Sequence, residues 1–144
     1  MDLQSKLETA LKTLLETISV NNRGNASVTT GLNYAALTPP YIVAVAQQGE
    51  EMPLDSGNFY LNATVEVFSA ADPKSSETLE AHRSRAEYVF EKLLASTLAA
   101  DLSALADFHC FGIRNRAFMP EREQDRQWVT GLQFQAYCCG KDMA

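Results

Sequence analysis

The residues able to do chemistry are few, and their spacing does not suit it. His109 and Cys110 form the only adjacent histidine–cysteine pair. A nucleophilic thiol needs a base beside it and a third group to orient that base. Successive side chains of a strand point to opposite faces, so these two cannot meet if the segment is extended. Cys110 reads instead as a small apolar strand residue. Cys138 and Cys139 are directly adjacent, whereas a zinc site separates its cysteines by about two to four residues so that the chain can wrap the ion. Cys138 is expected to continue the core face of the last strand, with Cys139 turned the other way. His82 falls in the apolar stripe of a helix and is expected to keep its polar tip in water, without a functional role. Patterns for phosphate loops, H-E-x-x-H and G-x-S-x-G are absent. No catalytic residue, metal ligand or cofactor is expected, and the chain does not read as an enzyme.

Two polar segments offer contact chemistry. One carries Glu50, Glu51 and Asp55 around Met52, Pro53 and Leu54. An apolar patch rimmed by charge is a frequent feature of a subunit interface. The other mixes signs through Glu121, Arg122, Glu123, Asp125 and Arg126, a pattern that can set the register of a docked neighbour. Both also read as plain solvated loops. Glu87 and Glu91, with Arg83 and Arg85 nearby, read as an ordinary mixed-charge helix face.

Composition narrows the function classes. The chain has 144 residues, 46% of them hydrophobic, enough for one domain with its own core. Its net charge is −6, the wrong sign for a protein that neutralises phosphates, and no Lys/Arg cluster offsets it. No run of about eighteen apolar residues spans a bilayer. The N-terminal segment lacks the basic start and apolar stretch of a secretory signal, so the protein is expected to stay where it is made. The cysteines are then expected to be reduced thiols, and the two sequons at Asn25 and Asn62 to be chance matches.

The contact segments must be positioned by regular elements. Leu3, Leu7, Leu11, Leu14, Leu15 and Ile18 make one stripe of a first helix. Asp2 is its expected N-cap, and residues 21–25 its end. The connection over residues 21–40 either holds a short strand near residues 26–30 or forms an arm that orders against a partner. Strands are expected over 41–46 and 58–69, joined by a hairpin loop over 48–57. In the second, Phe59, Leu61, Ala63, Val65 and Val67 alternate with more polar residues and should face the core. Residues 71–76 mark a turn into a second helix running to about residue 99, roughly 36 Å long at 1.5 Å per residue. Its stripe includes Leu79, His82, Ala86, Val89, Phe90, Leu93, Leu94 and Leu98. Asp101 is expected to cap a short helical piece through Leu105. Two last strands are expected over 108–114 and 127–139, with residues 120–126 as a charged hairpin tip. The fold class read from this is α+β: a mainly antiparallel four-stranded sheet with two helices packed on one face, order α-β-β-α-β-β, in a single domain over residues 1–144. Small residues over 95–100 would let another subunit approach the second helix closely.

This element order resembles the tail terminator and tail-completion proteins of long-tailed bacteriophages. The matching stretches are residues 3–18, 41–46, 58–69, 77–99, 108–114 and 128–139. The run Pro40-Tyr41-Ile42-Val43-Ala44-Val45, then Leu61-Asn62-Ala63-Thr64-Val65-Glu66-Val67 after a variable loop, is similar in style. So is Arg85-Ala86-Glu87-Tyr88-Val89-Phe90 on the helix. The resemblance covers most of the chain, and it rests on order and texture, with no invariant motif. It implies a structural virion protein of the tail, assembled in the host cytoplasm. Such a protein forms a homo-oligomeric, usually hexameric ring on the tail tube protein, ends tube polymerisation and offers a surface to a head-completion or neck protein. It also implies that DNA passes through without specific binding and that no membrane is involved. The candidate lumen and interface residues are Glu50, Glu51, Met52, Leu54, Asp55, Arg122, Glu123 and Arg126. Competing readings are a head–tail connector or neck protein, a small enzyme using Cys110, and an RNA-binding α+β domain.

Overall fold

The computed structural model describes residues 3–21, 27–30, 40–71 and 79–140, with residues 18–21 as backbone only. The expected cap at Asp2, the connection over residues 31–39 and most of the turn over 71–76 lie outside the described residues.

The chain is α+β. Among the described residues its elements are α1 (Leu3–Asn21), β1 (Ser27–Thr30), β2 (Tyr41–Glu51), β3 (Phe59–Ala70), α2 (Leu79–Leu93), α3 (Leu98–Ser103), β4 (Phe108–Gln124) and β5 (Gln127–Gly140). The sheet order is β1-β2-β3-β5-β4. The expected four-stranded antiparallel sheet is thus a five-stranded mixed one. The short-strand reading of residues 26–30 holds: β1 pairs in parallel with residues 41–44 of β2, while the other pairings are antiparallel. Beyond the reach of β1, side chains of α1 take over its partners. Glu8 accepts from the Ala46 amide at 2.9 Å and Gln4 from the Gln48 amide at 3.0 Å. An edge amide half-covered by a helix needs such a partner.

Strand alternation sorts the core. Ile42, Ala44 and Ala46, Leu61, Ala63, Val65 and Val67, and Leu132, Phe134, Ala136 and Cys138 share one face. All three helices pack there, through Leu7, Leu11 and Leu15, Val89 and Leu93, and Leu98 and Leu102. Tyr41, Val43, Phe68 and Val129 form a small buried cluster on the other face.

Four expected boundaries move. The second helix stops at Leu93 instead of near residue 99, which makes α2 about 22 Å long at 1.5 Å per residue. The guanidinium of Arg116 on β4 reaches its end, donating to the carbonyls of Leu93 at 3.2 Å and Ala95 at 3.4 Å. The Leu93 carbonyl is one that a helix C-terminus leaves without an intrahelical donor, and the Ala95 carbonyl also accepts from the Leu98 amide at 3.2 Å. A separate α3 then begins at Leu98, so Asp101 sits in its first turn and does not cap it. The Thr97 hydroxyl donates to the Asp101 carboxylate at 3.0 Å. Finally, the expected charged tip over 120–126 is mostly strand. β4 continues to Gln124, and Asp125 and Arg126 alone make the turn, both with positive φ (51° and 62°). Two left-handed residues match the twist of the flanking strands. Register shifts interrupt β4 between Cys110 and Gly112, Arg114 and Ala117, and Met119 and Arg122. β2 likewise extends to Glu51, past the expected end of its strand.

Candidate functional site

The thiols sit in structural positions. Cys110 pairs with Cys138 across β4 and β5, and both are buried in the core. The hydrogen bond between them pushes Cys138 upward, with burial adding to it, and moves Cys110 down. The Cys110 amide donates to Ser103 Oγ at 2.8 Å, which ties α3 to the strand. His109 lies on the opposite face, its ring stacked 6.2 Å from Phe111. The pair therefore does not meet, as strand alternation requires. Cys139 pairs with His109 across the strands, and burial raises its thiol. Among the described residues no group of three or more His, Cys, Asp or Glu could hold a metal ion.

His82 corrects an expectation. Its ring is fully buried and bonded at both nitrogens. Ser69 Oγ lies 2.7 Å from Nδ1, and Thr130 Oγ1 lies 2.8 Å from Nε2. Arg85 Nη1 donates to Ser69 Oγ at 2.7 Å. Each hydroxyl can donate or accept, so both ring nitrogens have a partner. A buried polar ring is tolerated when its bonds are made, so no wet tip is needed. This network fastens α2 to β3 and β5.

The predicted contact residues divide between the two ends of the sheet. At one end, the Glu51 carboxylate accepts from the amides of Asp55 and Gly57, each at 3.0 Å. Met52 N donates to the Asn58 carbonyl at 2.9 Å and Ser56 N to the Pro53 carbonyl at 3.1 Å. The Tyr137 hydroxyl donates to the Met52 carbonyl. The Met52–Pro53 peptide is cis. So fixed, the loop holds Leu54 80% exposed and Met52 44% exposed. Glu50 and Asp55 are exposed beside them, whereas Glu51 is occupied in holding the loop.

Behind the loop, on the face away from the helices, runs a ladder of rings. Phe111 and Tyr137 lie 5.7 Å apart, and Tyr137 and Tyr60 lie 4.7 Å apart. The Arg114 guanidinium sits 3.6 Å over Tyr60. This ladder backs the tyrosine that grips Met52.

The opposite end carries Arg122, Glu123 and Arg126. Arg122 is bonded to Glu66 at 2.8 Å, and Glu123 and Arg126 are exposed. Phe59 flanks the first loop, and Ala70 pairs with Gln127 at the turn. The 12-residue β3 between them spans about 36 Å at ~3.3 Å per residue. The structure does not bring the two groups together.

A third surface was missed by sequence reasoning. A groove of about 570 Å³ lies between α2 and β4, lined in part by Ala86, Phe90, Leu94 and Phe118. Phe90 and Phe118 meet edge to face at 5.4 Å. Phe118 is 58% exposed and Leu94 44% exposed. One end is closed by Arg83, which binds both oxygens of Glu121, at 2.9 and 3.0 Å. This pairing holds the Glu121 carboxyl below the usual glutamate range and raises Arg83. Phe90 and Leu94 were visible as a stripe, but their meeting with Phe118 depends on the extended β4.

Among the described residues, fold and surfaces together define a small α+β protein with three helices on one face of a mixed sheet and exposed apolar groups in separate places. No family model matches the chain, and a search of curated proteins finds no relative.

Proposed function

We propose that this chain is a ring-forming tail terminator of a long-tailed bacteriophage. The observation that carries the reading is the division of its contact groups between opposite ends of one sheet. One end is a rigid acidic loop with an apolar tip, the other a strand turn bearing Arg126. A closed head-to-tail ring needs two unlike patches on each subunit, one donated and one accepted. A patch and its two-fold copy would instead be alike. The element order supports the same reading, with β1 and α3 added to the pattern of the resemblance.

In this reading Leu54 and Met52 enter a neighbour, and the turn with Arg122, Glu123 and Arg126 receives one. Glu50 and Asp55 face the lumen, where carboxylates repel phosphates and let DNA slide without adhering. The ring caps the tube protein and leaves its far side to a head-completion protein. The test is light scattering over a concentration series with negative-stain images, alone and with purified tail tubes. A hexameric ring with a central hole, free or on tube ends, and lost in Leu54→Asp, is the expected result. A chain that stays monomeric and ignores tube ends would overturn the reading. A ring that ignores tubes and binds a portal-side protein would make it a neck protein.

A further inference from the structure

We propose that the groove between α2 and β4 is a docking site for a basic amphipathic helix of another protein. The helix layer has a gap there. α1 lies over β1 and β2, α2 over β3 and β5, and α3 beside the start of β4. Among the described residues no helix covers the inner face of β4 beyond that start, and Phe118 stands more than half exposed in the space. Glu87, Phe90 and Glu91 of α2 and Leu94 just past its end follow one another at helical spacing, the Leu94 amide still donating to the Phe90 carbonyl, and form a single stripe beside the gap. The stripe is apolar at two positions and acidic at two. Glu87 and Glu91 meet no cation among the described residues, since Arg83 is held by Glu121.

Charge and shape select the occupant. A helix laid along α2 would pack at an interaxial distance of about 8–10 Å. It would place apolar side chains against Phe90, Leu94 and Phe118, with lysines or arginines beside Glu87 and Glu91, as in coiled-coil pairing. A second copy of this chain is a poor occupant. Its exposed apolar loop carries Glu50 and Asp55, which would face two more carboxylates. Nucleic acid is repelled for the same reason. The site depends on α2 and β4 alone, so it holds or fails independently of the ring.

The probes are two synthetic helical peptides with the same leucine stripe, one flanked by lysines and its twin by glutamates. Each is titrated into the 144-residue chain by calorimetry and by NMR. The lysine peptide should bind about tenfold more tightly than its twin, from two exposed charge pairs made instead of two repulsions. Its signals should map to Ala86, Leu94 and Phe118 and weaken with salt. Glu87→Lys with Glu91→Lys should reverse the preference, and Phe118→Ser should weaken both peptides. These side chains are exposed, so circular dichroism should show the variants folded. Equal affinity for the twins, no binding of either, or a preference unchanged by the double charge reversal would overturn the proposal.

Discussion

Replacing His82 by leucine tests whether its buried network holds α2 to the sheet. Leucine has similar bulk, so the change is chiefly the loss of two hydrogen bonds. Ser69 is fully buried. Without the imidazole its hydroxyl has lost a buried hydrogen-bond partner, at a cost of about 1–3 kcal/mol. Thr130 is half-buried and recovers part of its bond from water, leaving ~0.5–1 kcal/mol. The sum is about 1.5–4 kcal/mol, or a fall in Tm of roughly 5–15 °C for a domain of this size. The single tryptophan, Trp128, has its ring 6.2 Å from His82 and reports on the site directly. Urea unfolding followed by its fluorescence, with far-UV circular dichroism as a check on coincidence, measures the loss. Thr130→Val provides the second arm. Alone it removes the hydroxyl partner of Nε2, while in the His82→Leu background that bond is already gone. The two changes should therefore couple by about 1 kcal/mol. A loss below ~1 kcal/mol for His82→Leu, or strict additivity of the pair, would refute the network as drawn.

Three other outcomes are expected. Leu54→Asp should change unfolding free energy by no more than about 0.5 kcal/mol, because the side chain is mostly in water, while removing higher-order species in light scattering. Gly49→Ala should destabilise by about 1–3 kcal/mol in denaturant unfolding, since its new Cβ would lie 2.6 Å from the Tyr60 carbonyl oxygen, a backbone atom that cannot swing away. The Glu121 carboxyl should titrate by NMR below the ordinary glutamate value of about 4.3, and Arg83→Ala should return it there. Its folded pKa is depressed, so its stabilising effect is present above that value and is lost as pH falls through the folded pKa. Exposure keeps the effect small.

What could be read from the residues was what local pattern encodes. The alternation of Leu61, Ala63, Val65 and Val67 and the stripe of Leu3, Leu7, Leu11 and Leu15 needed no partner to be visible, and both faces are buried as expected. The end of α2 was not visible, because Leu94 and Leu98 continue its stripe. The group that meets its last carbonyls, Arg116, comes from a strand more than twenty residues away. The outer half of β4 was hidden for a different reason. It is an edge exposed on most sides, so its residues do not alternate, and Gln124-Asp125-Arg126-Gln127 lacks the glycine that marks a tight hairpin turn. His82 looked like a wet helix residue because its partners, Ser69 and Thr130, belong to two different strands. The acidic loop was found by its composition. Its rigidity, with Glu51 turned inward, was not, since that depends on amides whose direction only the folded loop sets.

The interruptions in β4 bear on how such a chain tolerates its own kind. An outer strand of 17 residues, met by α3 only near its start, is a ready template for runaway sheet growth between molecules. Growth of that type requires a long stretch of evenly spaced amides and carbonyls that an identical strand can match. Here the three register shifts cut the stretch into short pieces, and Arg114, Arg116, Glu121 and Glu123 line it with charge. Each piece is too short to hold a stray neighbour, and stacked copies would set like charges against one another. The molecule can therefore be crowded at high local concentration without seeding fibres along that border.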